Sequence, residues 1–122
     1  MDTNRVIGLD YYPLIKPGER FPVNDPNLQP RVEPRPVNDQ EFLQGLLEGI
    51  ASIEKAGYKE LASAGSPVVK NIRSVGGGAA NRAFSRIRQR TLSVDFKPPL
   101  SEEAAYGAAT LAKNAADRLN LW

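Results

Sequence analysis

The stretch Asn71-Ile72-Arg73-Ser74-Val75-Gly76-Gly77-Gly78-Ala79-Ala80-Asn81-Arg82-Ala83-Phe84 decides how this chain folds. It predicts a short strand that runs through three glycines and into a helix. Because glycine has no Cβ, a ligand can approach the backbone of such a turn closely, and the following helix N-terminus adds partial positive charge. A tight turn that binds nothing explains the glycines equally well. The rest of the chain has to distinguish a nucleotide-binding turn from a structural one.

The segments around the glycine turn predict an α/β fold with the order arm, helix, strand, helix, strand, helix. The predicted elements are a helix over 39–63, a strand within 67–75, a helix over 79–92, a strand over 92–97 and a helix over 102–119. Asn38 and Ser101 are predicted N-caps, and Gly65 with Pro67 is predicted to end the first helix. The alternation of strands and helices predicts that the two strands are parallel.

Residues 1–38 form a proline-rich segment that cannot be helical. They hold seven of the ten prolines of the chain, namely Pro13, Pro17, Pro22, Pro26, Pro30, Pro34 and Pro36. Apolar side chains such as Tyr11 and Phe21 distinguish the segment from a disordered tail. We therefore expect two parts: an ordered, extended arm over 1–38 and an α/β part over 39–122.

Small residues predict close helix contacts at two places. Gly45 and Gly49 lie four residues apart in the first helix, and the last helix contains seven alanines and Gly107. A glycine inside a helix costs about 1 kcal/mol relative to alanine, so a close contact at Gly107 is expected in compensation. Two short strands do not make a sheet that stands alone. We expect the last helix and the arm to cover a surface that this chain does not supply.

Composition narrows the possible functions. The chain has no cysteine and no histidine, which removes thiolate metal sites and the commonest general base near neutral pH. A net charge of +2 gives no indication of a nucleic-acid partner, and four arginines between 82 and 90 are expected to form a solvated or ion-paired face. No apolar run approaches the roughly 20 residues of a membrane span, and no signal peptide is recognisable. These features fit a cytoplasmic protein that binds neither nucleic acid nor membrane.

A dinucleotide-binding fold is one interpretation of the glycine turn. Gly76 and Gly78 follow a predicted strand, and Asp95 lies 19 residues after Gly76, near where an acid would bind a ribose hydroxyl. However, Asn81 stands where the fingerprint has its third glycine.

Several segments together resemble the C-terminal end of the FGGY carbohydrate kinases. The segments, in chain order, are Leu9-Asp10-Tyr11-Tyr12-Pro13-Leu14, Gly18-Glu19-Arg20-Phe21-Pro22, Asp39-Gln40-Glu41-Phe42-Leu43-Gln44-Gly45-Leu46-Leu47-Glu48-Gly49-Ile50, Gly76-Gly77-Gly78-Ala79-Ala80-Asn81 and Glu103-Ala104-Ala105-Tyr106-Gly107-Ala108-Ala109. The resemblance covers about residues 6–119. It is closest to the xylulose/ribulose kinase branch of cyanobacteria and plant plastids.

The resemblance implies a partial actin-like ATPase domain of the ribonuclease-H type. In this family two such domains close over ATP, Mg²⁺ and a sugar, and the γ-phosphate passes to a sugar hydroxyl. By resemblance, Gly77 and Gly78 line the adenine and ribose, Asn81 bonds to the base, and Phe84 packs near the ring. The last helix, by resemblance, packs behind this pocket. Close relatives have tryptophan where Phe84 stands and glycine where Ser93 stands.

The resemblance also implies what this chain does not carry. In the family, the sugar-binding domain, the catalytic aspartate and the phosphate loop lie in the N-terminal part. We therefore assign no catalytic residue and no metal ligand here. The prediction is a C-terminal fragment of a pentulose kinase that binds ATP or ADP, reaches the sugar only through the N-terminal part, and is inactive alone. The expected compartment is the cytoplasm, or the plastid if the source is a plant. The alternatives are a fragment of a dinucleotide-binding oxidoreductase and a non-enzymatic docking module.

Overall fold

A computed structural model describes residues 1–101 and 103–121 as a small mixed α/β structure. Its elements are α1 (Asp39–Ser63), β1 (Asn71–Ile72), a 3₁₀ turn (Gly77–Ala80), α2 (Arg82–Leu92), β2 (Asp95–Phe96) and α3 (Ala104–Arg118). The order of helices and strands is the predicted one. No helix in these two ranges is both long and apolar enough to cross a membrane.

Helix α1 has the bounds that its sequence predicts. The Asn38 side chain accepts hydrogen bonds from the backbone N–H groups of Gln40 (2.8 Å) and Glu41 (3.4 Å), which caps the first turn. The Glu41 carboxylate lies 3.5 Å from the Arg5 guanidinium, so it forms an ion pair with residues 1–38, which we call the N-terminal segment. At the other end, Gly65 adopts a φ of 103°, a left-handed conformation that stops the helix.

The N-terminal segment packs on the face of α1 that carries Gly45 and Gly49. A Cβ at Gly49 would lie 2.6 Å from the backbone carbonyl oxygen of Tyr11, and one at Gly45 would lie 3.0 Å from the Leu9 side chain. Tyr11 is only 2% exposed, and its ring meets the Phe42 ring edge-on at 5.9 Å. The close approach predicted from the spacing of Gly45 and Gly49 is therefore confirmed, and the neighbour is the segment that precedes α1.

The core lies between α1 and α2 and is small. Its most buried apolar residues are Ala51, Ile72, Ile87 and Leu92. The strands β1 and β2 pair in parallel with Asn71 opposite Asp95 and Ile72 opposite Phe96, as the alternation of elements predicts. Each strand is only two residues long, much shorter than predicted, because neither has a second neighbouring strand in the described part of the chain.

Helix α3 begins later and packs less than predicted. The Ser101 hydroxyl accepts a hydrogen bond from Glu103 N (3.2 Å), but the helix starts at Ala104. Glu102, the predicted first residue, lies outside the described residues. A Cβ at Gly107 would meet nothing within 4 Å, and Leu111 is 73% exposed. The expected close contact at Gly107 is thus not made by any described residue.

Candidate functional site

The glycine turn joins β1 to α2 through a single 3₁₀ turn. Gly76 has a φ of 85°, which a residue with a Cβ rarely adopts, so glycine is required at this position. The turn is closed by hydrogen bonds from Ala79 N to the Gly76 oxygen (3.1 Å) and from Asn81 N to the Gly78 oxygen (3.2 Å). Within the described residues, the N–H groups of Gly77 and Gly78 have no acceptor. They are two donors available to a ligand.

Asn81 lies at the junction between the 3₁₀ turn and α2. The sequence predicts a helix from Ala79, whereas α2 begins at Arg82, because Asn81 is extended and acts as its N-cap. Its side-chain oxygen accepts a hydrogen bond from Phe84 N at 3.0 Å. The predicted helix over 79–92 places Asn81 inside the helix, with its whole side-chain amide directed to a base. The structure corrects this: the oxygen caps α2, and the amide nitrogen is the group left for a ligand.

Phe84 lies beside the glycines. A Cβ at Gly78 would lie 3.9 Å from the Phe84 ring, whereas one at Gly77 would meet nothing within 4 Å. Gly78 and Phe84 are therefore neighbours in space, Asn81 is joined to Phe84 by the cap hydrogen bond, and Gly77 precedes Gly78 in the same 3₁₀ turn. Gly77, Gly78 and Asn81 are exposed and Phe84 is half-buried, and we call these four residues the glycine wall.

Arg88 is the side chain that holds this wall in place, and the sequence did not single it out. Its guanidinium makes a two-point ion pair with the Glu54 carboxylate (2.7 and 2.8 Å) and donates to the Ser74 hydroxyl at 2.5 Å. It also lies 5.7 Å from the Phe84 ring centroid and 5.0 Å from that of Phe96. Since Ser74 leads into the glycine turn, Arg88 connects α1, β2 and both sides of the turn.

Tyr58 extends this network along α1. Its hydroxyl donates to the Glu54 carboxylate at 3.1 Å. Burial, and then the nearby Glu54 charge, raise the pKa of Tyr58 above its ordinary value. The hydrogen bond that Arg88 donates to Glu54 raises the pKa of Arg88, which keeps the guanidinium charged. The i, i+4 spacing of Glu54 and Tyr58 was visible in the sequence, but their pairing with Arg88 was not.

The arginine-rich face of α2 is partly ion-paired, in agreement with the prediction. Arg88 pairs with Glu54, and Arg90 lies 2.9 Å from Glu48. Arg82 and Arg86 are exposed.

The geometry gives no support to the dinucleotide interpretation. Asp95 pairs with Asn71 at the start of β1, whereas Gly76 follows five residues later. The strand pairing therefore places Asp95 opposite the start of β1 and not opposite the turn that it would have to complement. In addition, α2 begins four residues after Gly78 rather than at the glycines. Among the described residues, no group of three or more acidic side chains is placed to hold a metal ion.

Comparison with known protein families identifies a matching family. The model of the FGGY family of carbohydrate kinases, C-terminal domain, matches residues 7–116. The matched region contains most of the N-terminal segment, α1, the glycine turn, α2 and most of α3.

Proposed function

The chain belongs to the FGGY family of carbohydrate kinases, and we propose that its glycine turn forms the adenosine-binding wall of an ATP-dependent pentulose kinase. One observation supports this proposal most directly. Two backbone N–H groups without acceptors, at Gly77 and Gly78, lie beside an aromatic ring and an amide nitrogen on one open surface. This combination suits a flat heterocycle that has acceptor nitrogens at its edge. D-xylulose and D-ribulose are the proposed sugars, on the resemblance of the flanking segments.

Each residue of the wall has a distinct part in binding. The bare backbone at Gly77 and Gly78 admits the adenine and ribose, because a Cβ there would project into the open space. The Asn81 amide nitrogen donates to a ring nitrogen of the base, while its oxygen keeps α2 capped. Phe84 packs at the side of Gly78 and shields one edge of the ring. ATP supplies the phosphoryl group when it is bound, and this chain's part is to position the nucleoside.

We further propose that residues 1–122 bind adenosine nucleotides without transferring phosphate. Transfer requires a residue that positions the acceptor hydroxyl, ligands for Mg²⁺ and a cradle for the phosphates. By resemblance, these groups belong to the N-terminal part of the family. ATP-dependent phosphorylation of D-xylulose or D-ribulose by the isolated chain would contradict this proposal.

A titration of the backbone amide NMR signals with adenosine and with ADP tests the wall. We expect shifts at residues 76–84 with both ligands and a weaker response to NAD. Gly77→Ala should weaken binding at least about fivefold, because the added methyl occupies the ligand's space while meeting no protein atom. Gly107→Ala is the matched control, since its methyl also meets nothing within 4 Å. It should bind as the unmodified chain does.

Asn81→Asp separates the two functions of Asn81. Aspartate is as good an N-cap as asparagine, so the free energy of unfolding should change little. The variant lacks the amide N–H donor and should bind adenosine roughly tenfold more weakly. Unchanged adenosine binding by both Gly77→Ala and Asn81→Asp would overturn the proposed wall. The absence of any adenosine or ADP response would instead favour a docking module.

A further inference from the structure

A second cavity lies at the opposite end of α2 from the glycine turn. It has a volume of about 460 Å³, is open to solvent on one side, and is lined by the N-terminal segment, α1 and the C-terminal end of α2. Such a volume is sufficient for a small ligand. The 11 residues of α2 span about 16 Å, so the cavity and the glycine turn cannot share one small molecule. Its polar lining residues include Asp10, Ser52, Lys55, Arg90, Thr91 and Ser93.

The floor of the cavity is an ion pair between Glu48 and Arg90, in which each charge already has its partner. Glu48 and Arg90 lie 2.9 Å apart, and their side chains are largely buried. The Glu48 carboxylate also accepts hydrogen bonds from the backbone N–H groups of Ile7 (3.1 Å) and Gly8 (3.2 Å). The floor is therefore a rigid, neutral unit, which does not itself call for a ligand of either charge.

Several donors on the wall have no acceptor. Within the described residues, the Lys55 ammonium and the hydroxyls of Ser52 and Thr91 form no hydrogen bond, and Lys55 has no ion pair. Lys55 and Ser52 lie three residues apart in α1, so they project on the same face of the helix. The cavity thus has one uncompensated positive charge next to hydroxyl groups.

Strained backbone borders the cavity on two sides. Asp10 and Ser93 have positive φ values of 55° and 54°, which residues other than glycine rarely adopt. Only one further such residue, Asn120, occurs among the described residues. Ser93 occupies the position after α2 where helices commonly end with glycine, and its presence there adds a hydroxyl to the cavity. Strain of this kind is concentrated at ligand sites.

We propose that this cavity binds a small polyhydroxylated anion, such as a phosphorylated or carboxylated sugar. Lys55 pairs with the anionic group, and the hydroxyls of Ser52 and Thr91 bond to the ligand's own hydroxyls. The Ser93 hydroxyl, which donates to the Arg90 carbonyl oxygen at 3.3 Å, accepts a hydrogen bond from the ligand. The Asp10 carboxylate, whose side chain is 88% exposed, is an additional acceptor, although it already lies 3.2 Å from Arg31. A divalent cation is a poor occupant, because the acidic groups of the cavity are engaged by arginines.

Three probes separate the parts of this proposal: ribose 5-phosphate, ribose and inorganic phosphate. Each is titrated into the chain while amide NMR shifts are followed at residues 8–10, 52–55 and 90–93. Ribose 5-phosphate should bind at least about tenfold more tightly than either ribose or phosphate, since only it offers both an anion and hydroxyls. No response at millimolar ribose 5-phosphate, or equal affinity for phosphate alone, would overturn the proposal.

Lys55→Gln and Lys59→Gln form a matched pair of variants. Both lysines are exposed on α1, but only Lys55 lines the cavity, while both line the neighbouring apolar cleft. Lys55→Gln should weaken ribose 5-phosphate roughly tenfold and leave adenosine binding unchanged. Lys59→Gln should change neither. An equal loss in the two variants would place the anion in the neighbouring cleft and contradict the assignment.

Ser93→Gly supplies a second, independent test, and this substitution is not expected to destabilise the fold. Glycine relieves the left-handed backbone, so the variant should be at least as stable as the unmodified chain. It also removes one hydroxyl from the cavity, and ribose 5-phosphate should bind several-fold more weakly. Tighter or unchanged binding would show that Ser93 does not contact the ligand and would count against the proposed site.

Discussion

At the scale of single residues, the glycines of this chain fall into three groups. Gly76 is required by its positive φ, and Gly49 by the carbonyl oxygen of Tyr11 beside it. Gly77 and Gly107, in contrast, face open space. Only the structure separates these cases, because the sequence records neither the backbone φ of a glycine nor the atoms that lie beside it. A glycine without a local reason is where a ligand or partner is expected.

Substitution of Gly49 tests the contact between α1 and the N-terminal segment. A methyl group 2.6 Å from a backbone oxygen forces the segment away from the helix. We expect Gly49→Ala to lower the free energy of unfolding by about 1–3 kcal/mol, a typical cost of overpacking, even though alanine favours helix. Urea unfolding followed by circular dichroism measures this change.

Gly107→Ala is the control for that measurement, because it also places alanine inside a helix but meets no atom. Its unfolding midpoint should not fall. If Gly49→Ala were as stable as Gly107→Ala, the N-terminal segment would not pack on α1 as described.

At the scale of elements, the sequence predicted helices better than strands. The bounds of α1 were correct because a cap and a left-handed glycine define its two ends locally. The start of α2 was misplaced because the extended backbone of Asn81 is determined by its own side-chain hydrogen bond. The strands were predicted too long because strand length depends on paired neighbours, which lie far away in sequence.

The network of Tyr58, Glu54 and Arg88 makes α1–α2 packing sensitive to high pH. The raised pKa means that the folded chain holds the Tyr58 proton more tightly than the unfolded chain does. Stabilisation from the protonated hydroxyl is therefore complete below about pH 10, the pKa in the unfolded chain, and is lost as pH rises through the higher pKa of the folded state.

Tyr58→Phe isolates this effect. At pH 7 the variant should be less stable by about 1 kcal/mol, because a hydrogen bond to Glu54 is lost. The difference from the unmodified chain should shrink as pH rises above about 10, since phenylalanine does not titrate. Urea unfolding at several pH values between 7 and 11 measures it. A difference that is constant across this range would contradict the assigned role of Tyr58.

At the scale of the whole molecule, the glycine wall depends on contacts that no local pattern shows. Arg88 reaches Glu54 across 34 residues, and this ion pair joins the turn to α1. The resemblance predicts which residues form the wall, but the order of the helices alone does not bring Arg88, Ser74 and Phe96 together. The position of α3 was also unpredictable from this sequence, because no described element packs along most of it.

The exposure of α3 has a measurable consequence for the dynamics of the chain. Its 15 residues are few for a helix that receives little tertiary support, because isolated helices of this length are marginal in water. In contrast, α1 and α2 pack on each other, and each contributes a buried residue: Ala51 in α1 and Ile87 in α2. Amide hydrogen exchange should therefore be fast throughout α3 and slow in the middle of α1 and α2.

This exchange experiment also separates local from global stability. Denaturant added below the unfolding midpoint should accelerate exchange in α1 and α2 and leave α3 nearly unchanged, because α3 already opens without the core unfolding. Gly107→Ala should slow exchange only within α3, since it raises helix propensity at a site with no packing contact. Protection in α3 equal to that in α1 would require a packed neighbour for this helix, contrary to the structure.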